Sequence, residues 1–375
     1  MTKSEQICND IGAKFFCKDF VYENLKYFNN SNNKVELCDG LFEYANSYVA
    51  LQIKERSKSK STKTDDQWLN EVVYGDAVSQ IVETINGIKS SKILVNDLYH
   101  QKVELQQDYI IYPVIIFDNS NIKDYKRVLV INDIKINVFN LSDYKVMMNV
   151  LTHPYDILYY LQERTRLIHS NLPSLAIYDD EITIMSRINS EEDFAEFFLH
   201  MVYDGNPDKQ NQALQLLNII NKFKIKQQKN DPHYKTILKI LQQIEPKIAD
   251  KFIERFNYGW SKAHEDKFDI TKAIQLTNKD EKIEIVFCSI GKEPLTNKRY
   301  YEIICDAKQL QHKSNKIILI AFIGDKEDEC YIEWVYFEKN YEPDPNIKKC
   351  YETFGMYDGT ITKEFFEKIC ESVIK

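Results

Sequence analysis

Asp39, Gln52 and Lys54 sit on two short strand-like runs, residues 35–44 and 48–54, separated by the polar break Ala45-Asn46-Ser47. Runs of β-branched and aromatic residues around a turn-forming Asn predict an antiparallel hairpin. With a two-residue loop, Asp39 falls opposite Gln52 or Lys54, depending on which pair closes the turn. Opposed residues share a face of the sheet. Gln52 and Lys54, two apart on one strand, share a face as well, while Val49, Leu51 and Ile53 point the other way into a core. One carboxylate, one amide oxygen and one ammonium thereby converge. Such a set could hold a divalent cation against a phosphodiester.

The order Asp39, twelve intervening residues, then Gln52-Ile53-Lys54 resembles the signature of the PD-(D/E)XK nuclease superfamily. It is similar in particular to the Mrr-type branch, in which Gln takes the second acidic position. The resemblance covers residues 1–140, and Cys38 stands where the family often has Pro. It implies a restriction-endonuclease-like αββαβ core around a mixed sheet, and hydrolysis of DNA (RNA being the alternative) with Mg²⁺ or Mn²⁺. On this resemblance Asp39, the side-chain oxygen of Gln52 and the carbonyl of Ile53 hold the cation, and Lys54 orients the attacking water. A Glu on the first helix, here Glu23, would complete the metal site. Gln80 would support Lys54 or the phosphate. Because Gln52 is neutral, the site lacks one formal charge and needs another carboxylate. Glu36 is a further source, although strand alternation puts it on the face away from Asp39 unless a bulge intervenes.

The elements that must position these groups follow from periodicity. Ile7, Ile11, Phe15, Phe16, Phe20, Leu25 and Phe28 predict an amphipathic helix over 4–29. After the hairpin comes a serine-rich loop carrying Arg56, Lys58, Lys60 and Lys63, with no apolar residue to pack. Beside a phosphodiester site such a loop would bind phosphates, each contact adding salt-sensitive affinity. Asp65 or Asp66 then caps a helix over 65–90, with Trp68, Val72, Val73, Ala77, Val78, Ile81 and Ile85 as its buried stripe. Strands are expected at 109–117, 128–131 and 134–139.

Beyond residue 140 the pattern is helical to about 262, then α+β to 375. Strands are expected there at 283–290, 300–305, 317–323 and 331–337, and a helix at 363–374. Asp306-Ala307-Lys308, with Glu284 on an earlier strand, repeats the DxK theme without a preceding helix or a basic loop. The net charge of −8 is the wrong sign for coating nucleic acid, so DNA contact must come from a local basic patch. The eight Cys lack metal or disulfide spacing and read as reduced thiols of a cytoplasmic protein. Neither an export signal nor a membrane-spanning run is expected. The competing reading is a catalytically inactive nucleic-acid-binding or assembly module on the same fold, with residues 141–375 serving a homo-oligomer or a protein partner.

Overall fold

In the computed structural model the chain is mixed α/β and divides into two compact units, Met1–Leu214 and Gln215–Lys375. The structure describes residues 2–15, 18–23, 25–28, 34–56, 62–96, 102–151, 153–169, 190–226, 233–245, 248–271, 273–278, 281–291, 298–324 and 330–338, with a few single positions beyond 344.

The first unit opens with α1 (Lys3–Phe15), a 3₁₀ turn (Lys18–Phe20) and β1 (Val21–Glu23). The helix expected over 4–29 therefore ends early. Val21 and Tyr22 are adjacent and both buried, a pattern that a two-faced strand satisfies and one helix face does not. Next come β2 (Lys26–Phe28) and β3 (Lys34–Glu36), which pair with each other, then β4 (Gly40–Tyr44) and β5 (Ser47–Glu55). A helical stretch, α2, follows: α-helical over Asp65–Trp68, π-helical over Leu69–Ala77 and α-helical again over Val78–Ser90. Thr64 caps it through a capping box with Gln67, so the N-cap lies one residue before the expected Asp65. Then come β6 (Leu94–Asn96), β7 (Lys102–Glu104), β8 (Ile110–Asp118), β9 (Val128–Ile131) and β10 (Ile134–Asn140).

The main sheet has the order β1-β4-β5-β8-β10-β9. β1, β4 and β5 run antiparallel in turn, whereas β5–β8 and β8–β10 are parallel. A parallel pair needs a crossover, which α2 supplies between β5 and β8. Alternation assigns the faces. Phe42, Val49, Leu51 and Ile53 join the core shared with the helices after β10; Leu41, Tyr48, Ala50, Ile115 and Phe117 join the core under α2.

The chain does not divide at the expected boundary near 140. Helices α3 (Leu141–Val150), α4 (Pro154–His169) and α5 (Glu191–Val202) share one buried cluster with β4, β5 and β8. α6 (Pro207–Lys226) crosses the division.

The second unit carries α7 (Tyr234–Leu241), α8 (Ala249–His264), β11 (Asp269–Ile270), β12 (Ile274–Asn278), β13 (Glu281–Gly291), α9 (Lys298–His312), β14 (Lys316–Gly324) and β15 (Cys330–Glu338). β12 pairs antiparallel with β13, β13 parallel with β14, and β14 antiparallel with β15. The strand expected at 300–305 is helical, because Tyr301, Ile304, Cys305 and Lys308 are buried at i, i+3, i+4 and i+7. Asp306-Ala307-Lys308 thus lies on α9. The helix expected at 363–374 lies largely outside the described residues.

Candidate functional site

The hairpin turn decides the register. Tyr44 pairs with Ser47, leaving Ala45 and Asn46 as the loop, and the ladder runs back to Gly40 opposite Leu51. Asp39, a bend just before this last rung, meets β5 at Leu51 and Ile53, on either side of Gln52. Asp39 donates its backbone N–H to the Leu51 carbonyl at 3.1 Å. Its Oδ2 accepts the Ile53 N–H at 2.6 Å. The carboxylate thus continues the ladder where main-chain pairing stops, and Oδ1 remains as its other acceptor.

Asp39, Gln52 and Lys54 line one pocket of about 80 Å³, together with Glu36, Leu37, Gln80, Glu83 and Thr84. Gln52 is buried. Lys54 Nζ donates to Gln80 Oε1 at 2.6 Å, so the first turns of the Val78–Ser90 segment hold the ammonium in place. The Thr84 hydroxyl, one turn on, bonds the Leu37 carbonyl and ties α2 to the stretch before Asp39. Burial pushes the Asp39 carboxyl up to about 6; the Ile53 N–H and Lys54 oppose this, and the charges of Glu5 and Glu36 add to it. A half-buried acid with too little positive charge around it is a common mark of a working site.

Two expected contributors come out differently. Strand alternation put Glu36 on the face away from Asp39, yet the two line the same pocket. The physical reason is that the expected strand 35–44 is broken. β3 ends at Glu36, Leu37 and Cys38 are both buried, and β4 begins only at Gly40. Glu23 was expected on the first helix, but it ends β1, with its backbone opposite Gly40. The first-helix acid that acts on Asp39 is Glu5, whose carboxylate accepts the Thr2 N–H at 2.8 Å. Its sequence signal was available: Thr2 and Glu5 have capping-box spacing at the helix start. Glu83, three residues after Gln80, was also missed.

Of the basic loop, Lys58 and Lys60 lie outside the described residues. Arg56 pairs with Asp65, donates to the Lys63 carbonyl and has a side chain only 15% exposed. Lys63 pairs with Glu71 at 2.6 Å. A second hollow of about 400 Å³, lined by Glu55, Arg56, Asp65, Asp118 and Asn119, lies at the carboxyl ends of β5 and β8. Its carboxylates outnumber its one guanidinium. Among the described residues, no three His, Cys, Asp or Glu side chains gather as a metal-binding group. No helix among them is long and apolar enough to cross a membrane.

Neither the family models, nor the curated proteins, nor the solved structures contain a match to this chain.

Proposed function

We propose that the first unit is a nuclease of the PD-(D/E)XK kind, with a restriction-endonuclease-like core, which hydrolyses phosphodiester bonds in DNA. The supporting path is a leading helix (α1), an antiparallel β4–β5 hairpin, a crossover helix (α2) and β8 parallel to β5. The observation that carries the reading is that Asp39, Gln52 and Lys54 line one pocket, with the Asp39 carboxylate held by the Ile53 N–H.

The donor set fits a hard divalent cation such as Mg²⁺ or Mn²⁺. Asp39, the Gln52 side-chain oxygen and the Ile53 carbonyl would supply oxygen ligands, and Glu36 is the further carboxylate that lines the same pocket. When bound, the cation neutralises the scissile phosphate and makes its water more acidic. The chain's own part is positioning. The Ile53 N–H fixes the Asp39 carboxylate. Gln80 fixes Lys54, whose ammonium orients the attacking water or meets charge developing on phosphate.

The test is cleavage of plasmid and linear DNA by the purified chain with Mg²⁺ or Mn²⁺. Wild-type cleavage that persists in both Lys54→Ala and Asp39→Ala would remove the assignment. One observation favours the second reading, a non-catalytic nucleic-acid-binding or assembly module: Gln52, which lines the pocket beside Asp39, is neutral. Salt-dependent DNA binding without metal-dependent nicking would select it.

A further inference from the structure

Pro113 lies inside β8, a central strand of the main sheet, although proline has no N–H to give to a ladder. Ile110 donates its N–H to the Asn46 carbonyl at 3.1 Å, so the even-numbered residues of β8 turn their main chain toward β5. Pro113 therefore turns its nitrogen toward β10. The ladder between β5 and β8 runs unbroken from Ser47–Ile110 to Glu55–Asp118. The one between β8 and β10 begins only where Val114 meets Asn137. Before that rung Ile111–Pro113 and Ile134–Lys135 are not paired with each other, and the strands part.

The parting opens a hollow of about 300 Å³. Ile85 and Lys89 reach it from α2, on one face of the sheet, and Leu161 and Gln162 from α4, on the other. Side chains from opposite faces can line one space only where the sheet between them is open. Ile111 and Ile134 add apolar surface from the parted strands. Lys89 and Lys135, both exposed, form no ion pair among the described residues, and Asp133 is the one carboxylate in the lining. Tyr112 is half-buried at the same place; burial pushes its hydroxyl up, and no hydrogen bond among the described residues offsets this.

We propose that this hollow binds a small amphipathic anion. Its apolar or aromatic body sits between Ile111, Ile134 and Leu161, the Tyr112 hydroxyl donates to it, and its anionic group meets the Lys89 and Lys135 ammoniums. The volume is that of a small-molecule site, and apolar walls with a few polar groups are the usual lining of one. Two ammoniums against one carboxylate select the sign of the ligand's charge. The hollow lies at the amino end of β8, whereas Gln52 and Lys54 pair with Ile115 and Phe117 further along. It shares no residue with the Asp39 pocket, so each site can fail without the other.

The probe is 1-anilinonaphthalene-8-sulfonate, an aromatic body with one sulfonate, titrated into the native full chain at pH 7.5 and low salt. A saturable rise in its fluorescence is expected, and added salt should weaken it. The double variant Lys89→Gln, Lys135→Gln should bind roughly tenfold more weakly, the loss of about one charge-assisted contact. Gln162→Trp, which fills the hollow from the α4 side, should abolish the rise. All three positions are exposed, so both variants should keep the wild-type melting temperature. Hydrogen exchange locates the probe without any variant: the amides of 134–137 should gain protection and those of 39–54 should not. No saturable rise, a rise that either variant leaves unchanged, or protection elsewhere only would overturn the site.

Discussion

At the scale of single residues, Asp39 sets a pH dependence whose sign can be worked out. Its carboxyl titrates near 6 in the folded chain, against 3.8 for the free side chain. Between those values the native state holds the extra proton, so stability is lost as pH rises through this window. The difference is on the order of 2–3 kcal/mol above pH 6. Asp39→Asn keeps an acceptor for the Ile53 N–H and removes the buried charge. It should therefore be more stable than wild type at pH 7.5, with the gain vanishing near pH 4; thermal melts across that range check this. Added Mn²⁺ should reverse the wild-type penalty. It should raise the wild-type melting temperature at pH 7.5, with affinity falling about tenfold per pH unit well below 6, and leave Asp39→Asn unmoved. Lys54 and Gln80 separate chemistry from positioning. Lys54→Ala should cost about 10²–10³ in cleavage rate, the loss typical of one preorganised electrostatic group. Gln80→Ala removes only the anchor of that ammonium and should cost about tenfold, with the Mn²⁺-induced melting shift intact.

At the scale of elements, the hairpin rests on a sheet whose far edge is held by a buried charge cluster. Arg164 of α4, fully buried, donates to Glu191 at 2.7 and 3.2 Å, to Asn137 Oδ1 at 3.1 Å and to the Val138 carbonyl at 3.0 Å. Its guanidinium stacks 3.9 Å above the Phe139 ring. Glu191, at the start of α5, also accepts from Arg127 at 3.2 Å and from the Tyr160 hydroxyl at 2.5 Å. Removing one partner strands the other charge in the core. Arg164→Ala or Glu191→Ala should each cost about 3–5 kcal/mol in urea unfolding, and the double variant less than their sum. None of this was legible in the sequence, because Arg127, Arg164 and Glu191 are far apart in the chain and no local pattern links them. The hairpin and the helix over 65–90 were legible, since β-branched runs around Asn46 and an unbroken stripe from Trp68 to Ile85 are local signals. The break at Leu37-Cys38 was not, because both residues suit a strand and only tertiary burial turns the chain there. Glu36 reaches the Asp39 pocket through that break, so the hardest part of the site to foresee is where a β-prone run stops being a strand.

At the scale of the whole chain, the two units share a path. In the first, α1 leads into the β4–β5 hairpin, α2 crosses over, and β8 lies parallel to β5. In the second, α8 leads into β12–β13, α9 crosses over, and β14 lies parallel to β13. Their leading helices use the same device, a glycine that lets a sheet phenylalanine approach the backbone. A Cβ on Gly12 would overlap the Phe42 ring, and one on Gly259 the Phe322 ring. The chemistry does not repeat. The polar groups that meet at the first hairpin, Asp39 and Gln52, lie far from its turn, toward the carboxyl end of β5. In the second hairpin Gln275 faces Glu284 close to the turn, at the amino end of β13. Glu284 is fully buried, with Oε2 lacking a hydrogen-bond partner. Each unit has its own buried cluster, so each should melt as its own cooperative transition. Calorimetry of Gly12→Ala and Gly259→Ala tests this. Phe42 and Phe322 are both buried and have little room to yield, so each added methyl should cost about 1–3 kcal/mol by overpacking. Gly12→Ala should lower one transition and Gly259→Ala the other, each leaving its neighbour in place. A single transition moved by both would mean that the units unfold together. In that case damage at the second unit's Phe322 would also shift the folding of the sheet that carries Asp39.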